Sequence, residues 1–142
     1  MNEKKVLLTI KSTQQYEDQT PEVIELTTGG TFRIEGGTYY LSYKETELTG
    51  LIGAVTTFTV SPERVILQRD GAVSSRMEFA LNEQHESLYA TENAALYIRV
   101  TAKKMEIALD ENGGFFEVSY SVEIEQTAEG HITYHIDVHP LE

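Results

Sequence analysis

A chain of 142 residues with 40% apolar content can bury one real core and is too apolar to stay disordered, so we read residues 1–142 as a single domain. Its 23 acidic residues against 11 basic ones leave a formal charge of −12, which disfavours nucleic acid and anionic membrane as partners, since both are bound by neutralising phosphate with Lys and Arg. The absence of cysteine excludes disulfides, thiolate metal sites and thiol catalysis.

In chain order, Lys4–Thr13 carries Val6, Leu8 and Ile10 on one face, the alternation of a half-buried strand. A polar loop, Gln14 to Pro21, leads to Val23–Thr28 and, past Gly29-Gly30, to Thr31–Glu35. Ile24, Leu26, Phe32 and Ile34 share a parity, which predicts one long strand bent at the glycines. Taking Gly36-Gly37 as a two-residue hairpin loop sets Phe32 opposite Leu41 and Ile34 opposite Tyr39. Thr46 to Gly53 is the segment suited to a short helical turn or lid.

Threonine-rich Ala54–Val60 reads as a strand, and Pro62-Glu63 as the turn after it. Val65, Leu67 and Arg69 then share a face, and Asp70-Gly71 turns the chain into Ser75, Met77, Phe79 and Leu81. A polar loop around His85 precedes Ser87–Glu92, which pairs with Leu96–Ala102 about Asn93-Ala94, setting Tyr89 opposite Ile98. The apolar parity switches between Val100 and Met105, as one extra residue near Lys103-Lys104 would cause; that is a β-bulge. Asn112-Gly113 as a two-residue loop sets Leu109 against Phe116, Ile107 against Val118 and Met105 against Tyr120. The last hairpin joins Phe116–Ile124 to Ile132–Val138 through a three-residue loop with Gly130 left-handed, pairing Ile124 with Ile132 and Tyr120 with Ile136.

Sequential hairpins without a long amphipathic helix define an all-β chain. Closing the meander removes its two exposed edges, so an up-and-down antiparallel β-barrel of about eight to ten strands is expected, with an open or split sandwich as the alternative. No secretory leader and no membrane-length apolar run are visible, and a cytoplasmic protein is expected.

The stretch Tyr39-Tyr40-Leu41-Ser42-Tyr43-Lys44-Glu45-Thr46-Glu47, with Thr56-Thr57, Arg69-Asp70-Gly71, Met77 and Phe79, Tyr89-Ala90-Thr91 and Tyr120, resembles the YwiB-like family. The resemblance spans nearly the whole chain and implies a calycin-type, lipocalin-like β-barrel whose interior could hold a small molecule. It carries over no catalytic residue. Many calycins seal one barrel end with a Trp against an Arg; this chain has no Trp, so Tyr or Phe must close that end.

Arg69 and Glu45 extend the apolar parity of their strands and so point inward near a barrel end. A buried guanidinium needs a carboxylate, carbonyls or an anionic ligand. Two readings stay open: Arg69 holds a ligand's acid group, or it pairs with Glu45 or reaches out of the rim and closes the barrel. Tyr43, Tyr89, Tyr120 and Tyr134 bring hydroxyls to the same interior, and Met77 shares their inward parity; with Arg69 and Glu45 these are the candidate ligand-binding residues. Tyrosines can line a ligand cavity or fill a narrow barrel completely. The binding reading expects a cavity of several hundred Å³ walled by Arg69 and Tyr43.

His131, His135, Asp137 and His139 share the opposite, polar face of the last strand. Residues four apart on a strand are about 13 Å apart, so His131 and His135 cannot share an ion; cross-strand His–carboxylate pairs, with Glu125 opposite His131, explain the pattern. No nucleophile elbow or phosphate loop is present, and no metal or cofactor is expected. The function expected is non-catalytic binding of a small, partly apolar molecule, with an acid group on Arg69 as one option. The alternative is a filled barrel acting as a protein-interaction or homodimer module.

Overall fold

The computed structural model describes residues 3–16, 19–46, 53–125 and 128–141. Ten strands follow in order: β1 (Lys4–Tyr16), β2 (Glu22–Glu35), β3 (Thr38–Lys44), β4 (Ala54–Ser61), β5 (Arg64–Gly71), β6 (Val73–Phe79), β7 (Gln84–Thr91), β8 (Ala95–Asp110), β9 (Gly113–Ile124) and β10 (Ala128–Pro140). Each lies antiparallel to its sequence neighbours and β10 returns to β1, so the sheet closes into a ten-stranded up-and-down barrel. The suggested helical turn or lid over Thr46–Gly53 lies almost wholly outside the described residues. Among those residues no helix is long and apolar enough to cross a membrane.

The expected faces hold because a strand's side chains alternate strictly. Val6, Leu8 and Ile10 are buried, as are Leu41, Phe58, Val60, Val65, Leu67, Phe79, Val118 and Ile136. β2 is one long strand. A Cβ at Gly30 would lie 2.5 Å from the Ser42 carbonyl oxygen and 2.8 Å from Leu8 Cδ1, so only glycine leaves room there for the β3 backbone and the Leu8 side chain. The register slips between Ala102 and Lys104, where the bulge was expected.

Three hairpins pair differently from expectation, each by an even number of residues. Ile107 faces Phe116 and Met105 faces Val118, with Glu111-Asn112 as the turn; Asp110 Oδ1 accepts the Asn112 N–H at 2.7 Å and fixes the turn one residue early. Tyr89 faces Leu96 and Ser87 faces Ile98, because Thr91 and Ala94 close the loop through Thr91 N–H to the Ala94 carbonyl at 2.7 Å. Ile132 faces Tyr120 and Ile136 faces Phe116. Gly130 is not a turn residue: it lies inside β10 opposite Tyr16, whose ring leaves 2.5 Å for an added Cβ. Even shifts preserve the faces, so parity could not detect them.

Two local expectations fail. Leu81 is 52% exposed, since β6 ends at Phe79 and the chain turns through Asn82 with φ at +63°. His85 belongs to β7 and accepts the Glu78 N–H on Nδ1 at 3.3 Å.

Turns after β2, β4, β6 and β8 lie at one barrel end, whose interior is closed by packed aromatic rings. Phe58 packs edge-on to Phe116 at 5.3 Å, Phe32 stacks on Tyr39, and the Tyr39 hydroxyl donates to the Leu109 carbonyl at 2.8 Å, closing the base without a Trp. The apolar infill stops short of the opposite end, and the polar inward residues lie there.

Candidate polar cavity at the barrel mouth

The hairpin registers place inward residues of adjacent strands side by side. Tyr43 of β3 faces Thr56 of β4, Thr56 faces Arg69 of β5, and Arg69 faces Ser75 of β6, a belt across four strands. On the other side Ser12 of β1 lies between Ile24 of β2 and Tyr134 of β10. With adjacent strands about 4.8 Å apart, these belts gather the inward polar groups at one end of the barrel.

They enclose a cavity of about 180 Å³ walled by the apolar Ile10, Ile24 and Leu26 and by the polar Ser12, Gln14, Tyr43, Glu45, Arg69, Tyr89 and Tyr134. This is smaller than the several hundred Å³ expected. It is a space for a compact molecule: an apolar cavity of about 150 Å³ admits benzene.

Arg69 is the centre of the polar wall. Its side chain is 7% exposed and that of Glu45 1%, with Arg69 Nε 3.7 Å from Glu45 Oε2. One terminal nitrogen of Arg69 donates to the Tyr134 hydroxyl at 2.9 Å. Thr56 Oγ1 donates to Glu45 Oε2. Burial opposes the charge on Arg69, but the surrounding Tyr134, Tyr120 and Tyr43 phenols outweigh it and hold its pKa above the ordinary value, so it stays a cation. Burial, and then the Glu45 carboxylate, push the Tyr43 phenol well up; burial raises Tyr89 as well. The cavity wall therefore holds the Arg69 cation with Glu45 beside it, and the Tyr43 and Tyr89 phenols are held toward their protonated form.

Hydrogen bonding here is incomplete. Arg69 Nε and Ser12 Oγ, both on residues of the cavity wall, are buried and lack a hydrogen-bond partner. Such groups are costly in a finished core and are ready to meet a ligand's polar atoms.

Of the residues singled out from the sequence, Arg69, Glu45, Tyr43, Tyr89 and Tyr134 meet at this cavity. Met77 and Tyr120 do not line it. Met77 faces Leu67 in the core, and Tyr120 is buried against Phe79, ring centroids 4.5 Å apart, and Tyr134, 6.5 Å. Ser12 and Thr56 were missed, although both continue an apolar parity (Val6, Leu8, Ile10 and Phe58, Val60) and were legible as hydroxyls on a core face.

The C-terminal histidines lie on the outer face. His135 Nδ1 is 2.9 Å from Glu117 Oε1 and its Nε2 3.4 Å from Asp137 Oδ1, with Phe115 stacked on the ring. His131 faces Ser121 rather than Glu125, a result of the shifted hairpin. Among the described residues no three His, Asp or Glu side chains gather as a metal site would need.

Comparison with known proteins agrees with this architecture. The chain is 27% identical over 119 residues, 84% of its length and 82% of the other's, to a Bacillus subtilis (strain 168) protein described as "Uncharacterized beta-barrel protein YwiB". It superposes on the crystal structure of the ywiB protein from Bacillus subtilis with a TM-score of 0.76 at 25% identity, covering 95% of this chain and 92% of that one. Residues 8–136 match the family described as domain of unknown function DUF1934, and with closed barrel and sequence in accord the chain belongs to that family.

Proposed function

We propose that the barrel binds a small, partly apolar molecule at its mouth without transforming it. The observation that carries this reading is the cavity itself: apolar at Ile10, Ile24 and Leu26, polar at Arg69, and walled in part by buried hydrogen-bonding groups that lack partners. Concave, mostly apolar sites with a few placed polar groups are the usual form of small-ligand pockets. The volume limits the occupant to roughly the size of a substituted benzene ring. The sequence-based option of an acid group on Arg69 must contend with Glu45 beside it. Addition of millimolar toluene and benzamide to ¹⁵N-labelled protein tests the reading: shifts confined to Ser12, Tyr43, Arg69 and Tyr134 and their neighbours are expected, and their loss in Ser12→Leu, which fills the cavity. Shifts scattered over the outer surface, or none, would end it.

A second reading, a homodimer, is favoured by a separate observation. Beyond Thr101, β8 has no β7 residue beside it; among the described residues the Leu81–Ala102 bridge is the last backbone pairing on that side. Met105 and Ile107 instead border a groove with Pro62, Ala80 and Leu81. A second copy laid antiparallel about Ile107 would set Lys104 against Asp110 and Met105 against Leu109, opposite charges and apolar pairs in one register. Light scattering should then give twice the chain mass, Lys104→Glu should halve it, and Asp110→Lys added to that variant should restore it. A monomer at all concentrations would rule this out.

A further inference from the structure

We propose that Glu45 makes this cavity selective for uncharged ligands, ones that offer a carbonyl or similar acceptor to Arg69, and against carboxylates of the same shape. The inference rests on the small-molecule reading above and goes further by naming the ligand class and the residue that sets it.

The charges are already balanced. Arg69 and Glu45 face each other with side chains 7% and 1% exposed and charged atoms 3.7 Å apart. The other titratable groups on the cavity wall are the phenols of Tyr43, Tyr89 and Tyr134, and burial raises the pKa of the first two. A carboxylate brought to Arg69 would stand beside Glu45 as well. Attraction to one and repulsion from the other nearly cancel at similar distances, while the ligand's own desolvation remains. A neutral acceptor meets no such penalty.

The hydrogen-bonding vacancies suit a neutral group. At 3.7 Å, Arg69 Nε is too far from Glu45 to bond it, and it lacks a hydrogen-bond partner. It is a donor awaiting an acceptor. Ser12 Oγ, buried on the same cavity, can accept from an N–H or O–H. A primary amide on a small apolar body supplies both at once: its carbonyl oxygen to Arg69 and its N–H to Ser12, with the ring or alkyl body against Ile10, Ile24 and Leu26.

Benzamide and benzoate form the test pair, equal in size and differing in charge. Calorimetry or NMR titration of the wild-type protein at pH 7.5 should show benzamide binding at least tenfold more tightly. In Glu45→Gln, which keeps the shape and removes the negative charge, the ratio of benzoate to benzamide affinity should rise at least tenfold over the wild type; an unchanged ratio would overturn the selectivity. Benzoate binding the wild type as tightly as benzamide overturns the selectivity and leaves the binding reading standing. Toluene binding with neither polar probe also overturns it. Failure of all three probes sinks the binding reading itself. Should Glu45→Gln not fold, the wild-type ratio decides alone.

Discussion

Replacing Arg69 by Met should destabilise the barrel strongly, and the structure says by how much. The substitution keeps most of the apolar volume but strands Glu45, whose side chain is 1% exposed, without its guanidinium. At 3.7 Å the attraction lost is roughly 4 kcal/mol at an effective dielectric of about 20. Removing one partner of a buried ion pair costs about 3–5 kcal/mol. Loss of the bond to Tyr134 adds about 1 kcal/mol. Glu45→Gln with Arg69→Met leaves no buried charge, so the double variant should regain at least about 2 kcal/mol over the sum of the two single losses. Urea unfolding of the wild type and three variants, followed by circular dichroism, measures all four corners. A loss below about 1 kcal/mol for Arg69→Met, or simple additivity, would refute the buried pairing.

Three further outcomes follow from packing and burial. Gly30→Ala should lower stability by about 2 kcal/mol or more, the order of core overpacking, since its Cβ meets the Ser42 carbonyl at 2.5 Å, whereas Gly29→Ala, with nothing within 4 Å, should be tolerated; equal melting temperatures for the two would contradict the close approach of the Ser42 carbonyl to Gly30. Ser75→Ala removes a buried hydroxyl that lacks a hydrogen-bond partner and should change stability by less than about 1 kcal/mol, in either direction; a larger loss would mean that the hydroxyl is bonded. The Tyr43, Tyr89 and Tyr120 phenols have pKa values raised by burial, so the folded protein retains protons that the unfolded chain releases above pH about 10. Their contribution is complete below that pH and is lost as pH rises beyond it, by up to about 1.4 kcal/mol per pH unit for each of the deeply buried Tyr43 and Tyr120 phenols still protonated and by less for the half-buried Tyr89. Denaturant midpoints from pH 8.5 to 11.5 should fall accordingly; a flat profile would contradict it.

Much of the fold was legible because a strand's side-chain period is two. Val65, Leu67 and Arg69, or Tyr39, Leu41 and Tyr43, declare their face without knowledge of any partner. Register is a weaker signal. The Gly36-Gly37 hairpin was placed correctly because both turn residues are glycines with positive φ. The Asn112-Gly113 hairpin was misplaced by two because the Asp110 side chain, not the glycine, sets the turn. Gly130 was read as a turn glycine although it makes room for the Tyr16 ring, a contact with a residue far away in sequence that no local pattern reveals.

The site followed the same division. The inward placement of Arg69 and Glu45 was visible as charge on an apolar parity, and Tyr43 and Tyr134 came with it. The contact between the two charges depends on the relative heights of β3 and β5 in the barrel, which β4 relays through Thr56. The size of the cavity depends on how completely the core side chains fill ten strands, a property of the whole packing. Neither could be read from one strand at a time.

The Arg69 Nε–Hε resonance offers the most direct view of the cavity's role. In ¹⁵N NMR spectra, assigned by its absence from Arg69→Lys, this signal should move downfield and exchange more slowly with water as benzamide is added, because a buried donor gains an acceptor. An unchanged Arg69 resonance at saturating benzamide would show that no ligand reaches the polar wall, and the barrel would then be a closed scaffold.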